Sequence, residues 1–465
     1  MPVSQDPLEA RPTLSEQLRR GRELRHALRR RDHAALDLPD RDVIGLLEEQ
    51  HATRMPDMVP IRVGRMMQSP FAFYRGSAAQ MAHDLRDAPR TDVRVVACGD
   101  AHVANFGLYA SPERRLMFDL NDFDEVNVAP WEWDVKRLGA SIVLAGRDVG
   151  ASEDECGDAV AEAVRAYRRA LHRLFEMTAL ERFYYRVEAD RLEESARGTA
   201  VRDLMRKAER KARRRTSTRV LRSITTEGSG AALRIVDEPP VLRHLGLVAP
   251  EAAVRLMEAY RDTTAPDVVA LLEQFTVVDG AFRAVGVGSV GLRAHIVLLV
   301  GPSGEPLFLQ AKEARPSVLV SHGGMPFAQA RRALSTPGGP GREGWRVVTG
   351  QRVMQAVSDR FLGWFAYDGH DYYIRQFRDM KGAVDLEALT PAALAGYAGV
   401  CGALLARAHA QSAGAGAIRG YLGGGTTFDE AIATWSRRYA DVAEHDHATL
   451  VAAVRAGRLE AVEGV

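Results

Sequence analysis

The glycine-rich segment VGVGSVGLRAHIVLLVG (residues 285–301) constrains the fold most strongly, because an apolar run comes directly after its glycines. Gly286, Gly288 and Gly291 form the pattern GxGxxG, which opens a helix in dinucleotide-binding folds. Here the residues after the pattern form an apolar, strand-like run, and the turn sequence GPSGEP leads into a second such run, PLFLQAKEA. Turn residues between two apolar runs are typical of strand connections. The segment therefore predicts a glycine-rich β-hairpin and not a dinucleotide-binding helix.

Lys312 lies in the strand-like run after this hairpin. The chain has 62 Lys and Arg residues, of which only five are lysines, so a lysine within an apolar run is hard to ascribe to chance. A glycine-rich hairpin followed by a strand bearing Ala-Lys is the arrangement that holds nucleotide phosphates in kinases. In this interpretation Gly286, Gly288, Ser289 and Gly291 let the backbone approach the phosphates, and Lys312 supplies a positive charge. The alternative is a set of ordinary turn glycines with a solvent-facing lysine on an edge strand.

Two other segments consist of an apolar run that ends in acidic residues. VRVVACGDAHVANFG places Asp100 five residues before Asn105, and LMFDLNDFDE adds Asp119, Asp122 and Asp124. Both patterns are typical of a buried strand followed by a loop. This is the layout that phosphoryl transfer needs: one carboxylate orients the acceptor hydroxyl, while the amide oxygen and another carboxylate bind Mg²⁺. The alternative is that these side chains cap helices and form Asx-turns.

Composition and charge exclude several classes of protein. Hydrophobic residues make up 46% of the 465 residues and charged residues 26%, which excludes a mostly disordered or fibrous chain. The formal net charge is +1, so neither nucleic acid nor an anionic membrane is expected as a bulk electrostatic partner. The three cysteines lack zinc-site spacing. No leader-like segment and no apolar run of about 18 residues occurs, so we predict a cytoplasmic protein without a membrane span.

The hydrophobic periodicity changes along the chain and suggests five regions. We expect a turn or short strand and then a helix in residues 56–90, helices through most of 151–225, and strands from about residue 275. The prediction is an α+β fold. Its regions are an N-terminal helical extension (1–55), a part carrying the acidic segments (56–150), a helical insertion (151–265), a β-rich lobe with the glycine hairpin (266–385) and C-terminal helices (386–465).

Several long motifs resemble the bacterial domain-of-unknown-function family 2252. They are RMMQSPFAFYRG, CGDAHVANFG, FDLNDFDE, PWEWDVKRL, LQAKEA, GQRVMQA and LARAHA, and the resemblance covers roughly residues 40–450. That family name implies no activity. Individual motifs also resemble the aminoglycoside-phosphotransferase branch of protein-kinase-like folds, which implies a two-lobed fold. Because Asp100 precedes Gly286, the reverse of the order in a linear kinase, the resemblance implies a circularly permuted form with an added helical region.

The resemblance also implies roles for individual residues. The residues that carry over are Asp100 as the catalytic base, Asn105 as the amide metal ligand, Asp122 as the metal-binding Asp with Asp119 and Asp124 as rivals, Asp134 as the helix residue that braces the catalytic loop, and Lys312 as the phosphate lysine. The chain departs from the relatives at Cys98, where they have a His. It also offers Gln351 and Gln355 where they have a Glu, and Gln351 would then pair with Lys312 through its dipole.

Together these features predict an ATP- and Mg²⁺-dependent phosphotransferase that acts on an unidentified hydroxyl acceptor, either a small molecule or a protein. Transfer of AMP by the same residues is an open alternative. A nucleotide-binding pseudokinase or scaffold is another, because Gln replaces Glu. A metallophosphoesterase is the weakest alternative, since GDAH resembles a metal motif but the chain lacks the companion motifs that such enzymes need.

Overall fold

The computed structural model describes residues 11–189, 199–214, 221, 224–227, 233–244, 250–284, 286–326, 334, 338–377 and 380–464. These residues form a mixed α+β fold. Its helices are α1 (Leu14–Ala27), α2 (Val43–His51), α3 (Val59–Met67), α4 (Pro70–Gly76), α5 (Ala78–Leu85), α6 (Trp131–Asp148), α7 (Glu153–Leu174), α8 (Ala179–Tyr184), α9 (Thr199–Arg213), α10 (Pro250–Arg261), α11 (Pro266–Leu272), α12 (Val318–Ser321), α13 (Arg342–Met354), α14 (Pro391–His409), α15 (Gly416–Leu422) and α16 (Thr427–Arg455).

The strands form four antiparallel sheets. The strands are β1 (Arg94–Ala97), β2 (Phe106–Ala110), β3 (Leu116–Leu120), β4 (Asn127–Pro130), β5 (Thr225–Glu227), β6 (Leu233–Ile235), β7 (Leu242–Arg243), β8 (Thr276–Arg283), β9 (Ala294–Val300), β10 (Pro306–Ala314), β11 (Gly363–Tyr367), β12 (His370–Gln376) and β13 (Gly382–Ala383). The pairs are β1–β4 and β5–β6, and the larger sheets have the orders β13-β2-β3 and β11-β12-β10-β9-β8-β7.

The six-stranded sheet is apolar on both faces. Val297, Leu299 and Leu309 pack in one core cluster together with residues of α10, whereas Leu298 and Phe308 pack in another. This split is due to the two-residue period of a strand, which sends successive side chains to opposite faces. The sequence therefore reads as a nearly continuous apolar run, because both faces are covered. By the same period, Lys312 shares a face with Phe308 and not with Leu309.

The acidic segments belong to two smaller sheets that precede α6. Strand β1 pairs with β4, and β2 pairs with β3 on one side and with β13 on the other. The predicted strands at "VRVVA" and "LMFDL" and the predicted helix after Pro130 are therefore present. Because β13 follows β12 in the chain, it connects the six-stranded sheet to the sheet that carries the acidic segments.

A bundle of helices supports these sheets. Helix α6 packs against α7, α14 and α16 in one large core, where Trp131 stacks on Tyr167 at 5.9 Å between ring centroids. Helix α14 is the one described helix that is long and apolar enough to cross a membrane by length and composition, and 61% of its 18-residue window is buried in the fold. It thus behaves as a core helix here, and the cytoplasmic location stays a prediction.

The N-terminal region contains more helix than the sequence suggests. Thr13 forms a capping box with Glu16 at α1, and Ser69 caps α4. The turn or short strand expected in residues 56–90 is wrong, because these residues form α3, α4 and α5. Pro60 and Pro70 stand in the first turns of α3 and α4, where proline is compatible with a helix. Parts of the helical region predicted over 151–225 lie outside the described residues; in the rest, α7, α8 and α9 are present.

Candidate active site

The loop after β1 (residues 98–105, the Asp100 loop) turns at a glycine in a conformation that other residues rarely adopt. Gly99 has φ of 76°, and a Cβ there would lie 2.5 Å from the carbonyl oxygen of Glu125. A side chain at this position is therefore excluded both by the backbone conformation and by space. The tight turn at Gly99 directs the chain so that Asp100 lies at the edge of a cleft.

Asp134, in the first turn of α6, fixes this loop through its backbone. Its carboxylate accepts hydrogen bonds from the amides of Cys98 at 2.6 Å and Gly99 at 2.9 Å. His409 Nε2 lies 3.1 Å from Asp134 Oδ2, and the Tyr167 hydroxyl lies 2.9 Å from His409 Nδ1. Asp134 and His409 are both fully buried. The contact expected for the bracing Asp is thus present.

Within the described residues, the hydrogen bonds to the Asp100 carboxylate all reach one oxygen, Oδ1. Arg137 Nε and Nη2 both donate to Asp100 Oδ1, at 2.9 and 2.7 Å. Arg137 is itself fixed, because its Nη2 also donates to the carbonyl of Tyr74 and its guanidinium lies 3.9 Å from the Tyr74 ring centroid. Burial raises the pKa of Asp100 above its ordinary value, although Arg137 opposes the rise. The second oxygen, Oδ2, lies 3.6 Å from His102 Nε2.

Asn105 connects the Asp100 loop to the acidic loop (residues 121–125). Its Nδ2 donates to the carbonyls of Asp100 at 3.0 Å and Asp122 at 2.9 Å, and its Oδ1 accepts from the amide of Asp122 at 2.8 Å. The same Oδ1 also accepts from the amide of Asn121 at 3.4 Å, so both lone pairs of this amide oxygen already face backbone amides. In this structure Asn105 therefore positions both acidic segments.

Lys312 meets the acidic loop from the six-stranded sheet. Its Nζ donates to Asp124 Oδ2 and lies 3.4 Å from Asp122 Oδ2. Tyr373, the cross-strand partner of Lys312, donates its hydroxyl to Asp124 Oδ1 at 2.8 Å. Although burial disfavours a charged ammonium, Asp122 and Asp124 raise the pKa of Lys312. The edge-strand alternative for Lys312 is wrong, because β10 is an inner strand and Lys312 is 2% exposed.

The two carboxylates differ in their electrostatics. Burial would raise the pKa of Asp122, but Lys312 and Arg375 lower it below its usual range. Burial and the neighbouring charge of Asp122 raise the pKa of Asp124. Lys312 thus lies against one firmly ionised carboxylate and one that holds its proton more tightly.

The glycine loop (residues 286–292) joins β8 to β9, as the predicted hairpin requires. Gly286 and Gly291 have φ of 67° and 87°, which glycine adopts without strain. Ser289 Oγ lies 3.3 Å from Asp124 Oδ2, so the loop contacts the acidic loop directly. Gly291 lies at the base of the loop, where its carbonyl accepts from the amide of Met55 at 2.9 Å.

Helices near the start of the chain bind the outer side of the glycine loop. Arg54 Nη1 donates to the carbonyl of Val290 at 2.6 Å, and Arg65 Nη1 donates to the carbonyl of Gly286 at 2.5 Å. Both arginines donate to backbone oxygens of the loop. The glycine loop is therefore held between the six-stranded sheet and the α2–α4 region.

These loops surround a cleft of about 580 Å³, a volume typical of small-molecule sites. Seven residues expected from the sequence line it: Asp100, Asn105, Asp122, Asp124, Gly286, Gly288 and Ser289. Lys312 lies behind the lining and reaches the cleft through its contacts with the two aspartates. The structure thus brings the acidic segments, the glycine loop and the lysine to one place.

Two residues expected at the site lie elsewhere. Asp119, within β3, accepts from the amides of Leu120 and Ala356 and lies 3.7 Å from Arg407, so it does not line the cleft. Gln351 Nε2 donates to Gln355 Oε1 at 2.8 Å. Among the described residues Lys312 has no hydrogen bond to Gln351. Asp119 lies within β3, one residue before the strand ends, and therefore does not reach the loop that lines the cleft. Gln351 lies on the side of α13 that faces a smaller cavity of about 230 Å³.

Several side chains at the cleft were missed by the reasoning from sequence. Arg137 follows Asp134 by three residues, so helical periodicity could have placed both on one face of α6. The role of Tyr373 depends on strand register, which no local pattern reveals. The cleft also contains Arg54, Arg315 and Lys381, which the sequence did not single out. It contains Arg75 and Arg375 as well, whose motifs the sequence left open between a ligand contact and an ordinary structural role. Burial and the neighbouring charge of Arg375 lower the pKa of Lys381 to about 7.

The oxygen-rich side of the cleft is compatible with a magnesium ion. Within the described residues, no three His, Cys, Asp or Glu side chains are grouped as a metal site. Magnesium in phosphoryl-transfer sites takes one or two carboxylates and completes its shell with phosphates and water. Asp122 Oδ1 is buried without a hydrogen-bond partner, and Asp124 supplies the second carboxylate. The donor set therefore fits an ion that arrives together with phosphate groups.

Comparison with known proteins identifies the family but no activity. Residues 54–453 match the family described as "Uncharacterized protein conserved in bacteria (DUF2252)". The chain therefore belongs to this family. Comparison with curated proteins and with solved structures finds no significant match.

Proposed function

We propose that this member of an uncharacterized bacterial family is an ATP-dependent phosphotransferase that acts on a hydroxyl acceptor. The observation that carries the proposal is the contact between Lys312 and Asp122. These residues are 190 positions apart in the sequence, so the fold brings them together. Asp100 and the glycine loop line the same cleft. A glycine loop, a lysine, a metal-type carboxylate and a separate base-type carboxylate are the parts that phosphoryl transfer requires.

The order of the strands supports the same proposal. Counted from the glycine loop, β8, β9 and β10 are the first, second and third strands, and Lys312 lies on the third. In protein kinases the phosphate lysine is also on the third strand, beneath a glycine-rich loop and before a helix. Here the short helix α12 and then α13 follow β10. Because the Asp100 loop precedes all of these elements, the proposal includes a circularly permuted, protein-kinase-like two-lobed fold.

In the proposed reaction the acceptor hydroxyl oxygen attacks the γ-phosphorus of ATP. The bond between that oxygen and phosphorus forms, the bond from phosphorus to the β–γ bridging oxygen breaks, and its electron pair leaves with ADP. The hydroxyl proton passes to Asp100 Oδ2, the oxygen that Arg137 does not bind. The raised pKa of Asp100 favours this transfer, because a stronger base accepts a proton more readily. A bound Mg²⁺ would neutralise charge on the phosphates.

Lys312 differs from the kinase pattern in its partners. In protein kinases the corresponding lysine pairs with a Glu on the following helix, whereas Lys312 binds Asp122 and Asp124. Its positive charge therefore lies directly beside the carboxylates that fit the metal. We expect Lys312 to contact nucleotide phosphates once cations occupy the acidic loop.

Nucleotide binding gives the first test. ATP with Mg²⁺ should raise the melting temperature of the wild-type protein, because a ligand that binds only the folded state stabilises it. Lys312→Met should lose most of this rise. The matched control is Lys207→Met, which removes an exposed lysine on α9 and should leave the rise unchanged. No rise with any nucleotide in the wild-type protein would contradict the proposal.

Product analysis separates the remaining activities. Incubation with ATP, Mg²⁺ and a panel of hydroxyl compounds should give ADP and a phosphorylated acceptor. Pyrophosphate in place of ADP would indicate AMP transfer. Nucleotide binding with no turnover across the panel would favour a non-catalytic nucleotide-binding protein, an alternative that the engagement of Lys312 by two carboxylates makes worth testing.

A further inference from the structure

Arg75 is a cleft-lining arginine whose guanidinium makes no hydrogen bond within the described residues. Burial lowers the pKa of Arg75, and the charge of Asp100 opposes that change, so Asp100 attracts it from a distance. Arg75 lies in the last turn of α4, and its Nε is buried with no hydrogen bond. In the described part of the chain, no hydrogen bond or ion pair joins its side chain to another residue. An arginine that is largely removed from water without hydrogen bonds is costly, so its retention at this position needs another explanation.

The neighbouring arginines differ from Arg75 in this respect. Arg137 binds Asp100, and Arg62 donates to the carbonyl of Gly76 at 2.7 Å. Arg54 and Arg65 donate to carbonyls of the glycine loop. Each of these four has a structural partner. Among the described residues Arg75 has no such hydrogen bond, and Asp100 attracts it only from a distance.

Two contacts locate Arg75 between the glycine loop and Asp100. The carbonyl oxygen of Arg75 lies 3.4 Å from the position that a Cβ would take at Gly288. The preceding carbonyl, that of Tyr74, accepts from Arg137 Nη2 at 2.7 Å, and the same Nη2 donates to Asp100 Oδ1 at 2.7 Å. The backbone of Arg75 therefore lies between the glycine loop and the Arg137–Asp100 pair, and the attraction between its guanidinium and Asp100 places the side chain near the Asp100 end of the cleft.

We propose that Arg75 binds the terminal phosphate of the nucleotide and contacts the phosphoryl group during its transfer. This inference rests on the proposed function and adds a catalytic residue to it. The planar guanidinium donates several hydrogen bonds to phosphate oxygens. Negative charge in the transition state is spread over the equatorial oxygens of the transferred group, where a cation stabilises it. The bonds made and broken are those given above, and Arg75 exchanges no proton.

The test compares two nucleotides that differ in the terminal phosphate. We expect Arg75→Gln to weaken binding of the non-hydrolysable analogue AMP-PNP by about tenfold to a hundredfold, the loss expected for charge-assisted hydrogen bonds. Binding of ADP should change by less than about twofold. Arg75→Lys keeps the positive charge but loses the planar guanidinium with its several donors. This variant should therefore regain part of the AMP-PNP affinity and still show a reduced kcat. Arg86→Gln removes an arginine with a 44% exposed side chain outside the cleft and should leave both affinities unchanged.

The outcomes separate this inference from the proposed function. If wild-type protein binds both nucleotides and Arg75→Gln binds both equally well with unchanged kcat, Arg75 has no phosphate role. Equal weakening of AMP-PNP and ADP would move its contact to the inner phosphates and overturn the inference. An increase in the acceptor KM alone would make Arg75 an acceptor-binding residue, which also overturns it. Failure of the wild-type protein to bind either nucleotide would overturn both proposals. If Arg75→Gln does not fold, the same comparison is made with Arg75→Lys.

Discussion

The Asp100 loop and the glycine loop line one cleft, yet they are supported in different ways. The Asp100 loop is bound by a fully buried carboxylate, Asp134, that accepts two backbone amides. The glycine loop is bound by arginines that donate to its carbonyls, and the bond from Arg65 to Gly286 is exposed. Buried hydrogen bonds open less readily than exposed ones. The difference indicates that the Asp100 loop is more rigid than the glycine loop.

The largest expected effect tests whether the catalytic base lies in the more rigid Asp100 loop. Asp100→Asn should lower turnover by about a hundredfold to ten-thousandfold, the usual contribution of a general base, while AMP-PNP binding stays within about twofold. Asp92→Asn removes a carboxylate with a 68% exposed side chain outside the cleft and serves as the control. Turnover that survives Asp100→Asn would assign the base to another residue.

The second expected effect concerns the support of the Asp100 loop. Asp134→Ala leaves the amides of Cys98 and Gly99 without an acceptor in a buried site, so we expect a loss of roughly 2–4 kcal/mol in the free energy of unfolding. Denaturant titration measures it. The control Asp441→Ala removes one partner of Arg147 at the surface and should cost less than about 1 kcal/mol. Equal losses in the two variants would remove the distinction between the loops.

The third prediction uses pH to weaken the support of the glycine loop. His51 Nε2 accepts from Arg62 Nη1 at 2.6 Å, and burial together with Arg62 lowers the pKa of His51 from 6.5 to about 3. Protonation therefore opposes folding: the stability due to neutral His51 is complete above pH 6.5 and is lost as the pH falls toward 3. At pH 5 the loss should be about 2 kcal/mol relative to pH 7.5.

His51→Gln provides the comparison, since Gln keeps an acceptor for Arg62 and does not titrate. The free energy of unfolding of this variant should fall by about 2 kcal/mol less than that of the wild-type protein between pH 7.5 and pH 5. Other buried histidines titrate equally in both proteins and cancel in the difference. Parallel pH profiles would show that His51 does not couple to stability.

The smallest expected effect is at the glycine loop itself. Arg65→Ala removes the exposed bond to the carbonyl of Gly286 and should raise the KM for ATP by about threefold to tenfold, with kcat within about twofold. Arg19→Ala, an exposed substitution on α1, should change neither. A large fall in kcat for Arg65→Ala would mean that the glycine loop is as critical to the chemistry as the Asp100 loop.

The same contrast between the two loops explains which features could be predicted from the sequence. Asp100, Asn105 and Asp122 lie within short motifs whose spacing already carries the information, and the hairpin around Gly286 is indicated by turn glycines between apolar runs. Choosing Asp122 over Asp119 requires the exact end of β3, because one residue in a strand changes the face. The alternation of apolar and polar residues along a strand does not show at which residue the strand ends.

Support for the glycine loop could not be predicted in this way. Arg54 and Arg65 are more than 200 positions from the carbonyls they bind, and no local pattern connects such residues. In the sequence, Arg75 belongs to a long motif that is compatible both with contact to an anionic group and with a packed helix start, and the motif does not decide between them. The structure distinguishes Arg75 because the neighbouring arginines form hydrogen bonds and, among the described residues, Arg75 does not.

The N-terminal region that holds the glycine loop contacts the C-terminal part of the fold. Arg41 donates to Asp446 at 2.8 Å, His33 lies 2.8 Å from the Tyr421 hydroxyl, and the amide of Val462 donates to the carbonyl of Pro60 at 2.9 Å. Contacts between such distant positions form late, because long loops must close first. On a translating ribosome the Asp100 loop, the glycine loop and Lys312 would all emerge before α16. A nascent chain would therefore carry every reactive group without a completed cleft, and activity would begin only after synthesis of α16.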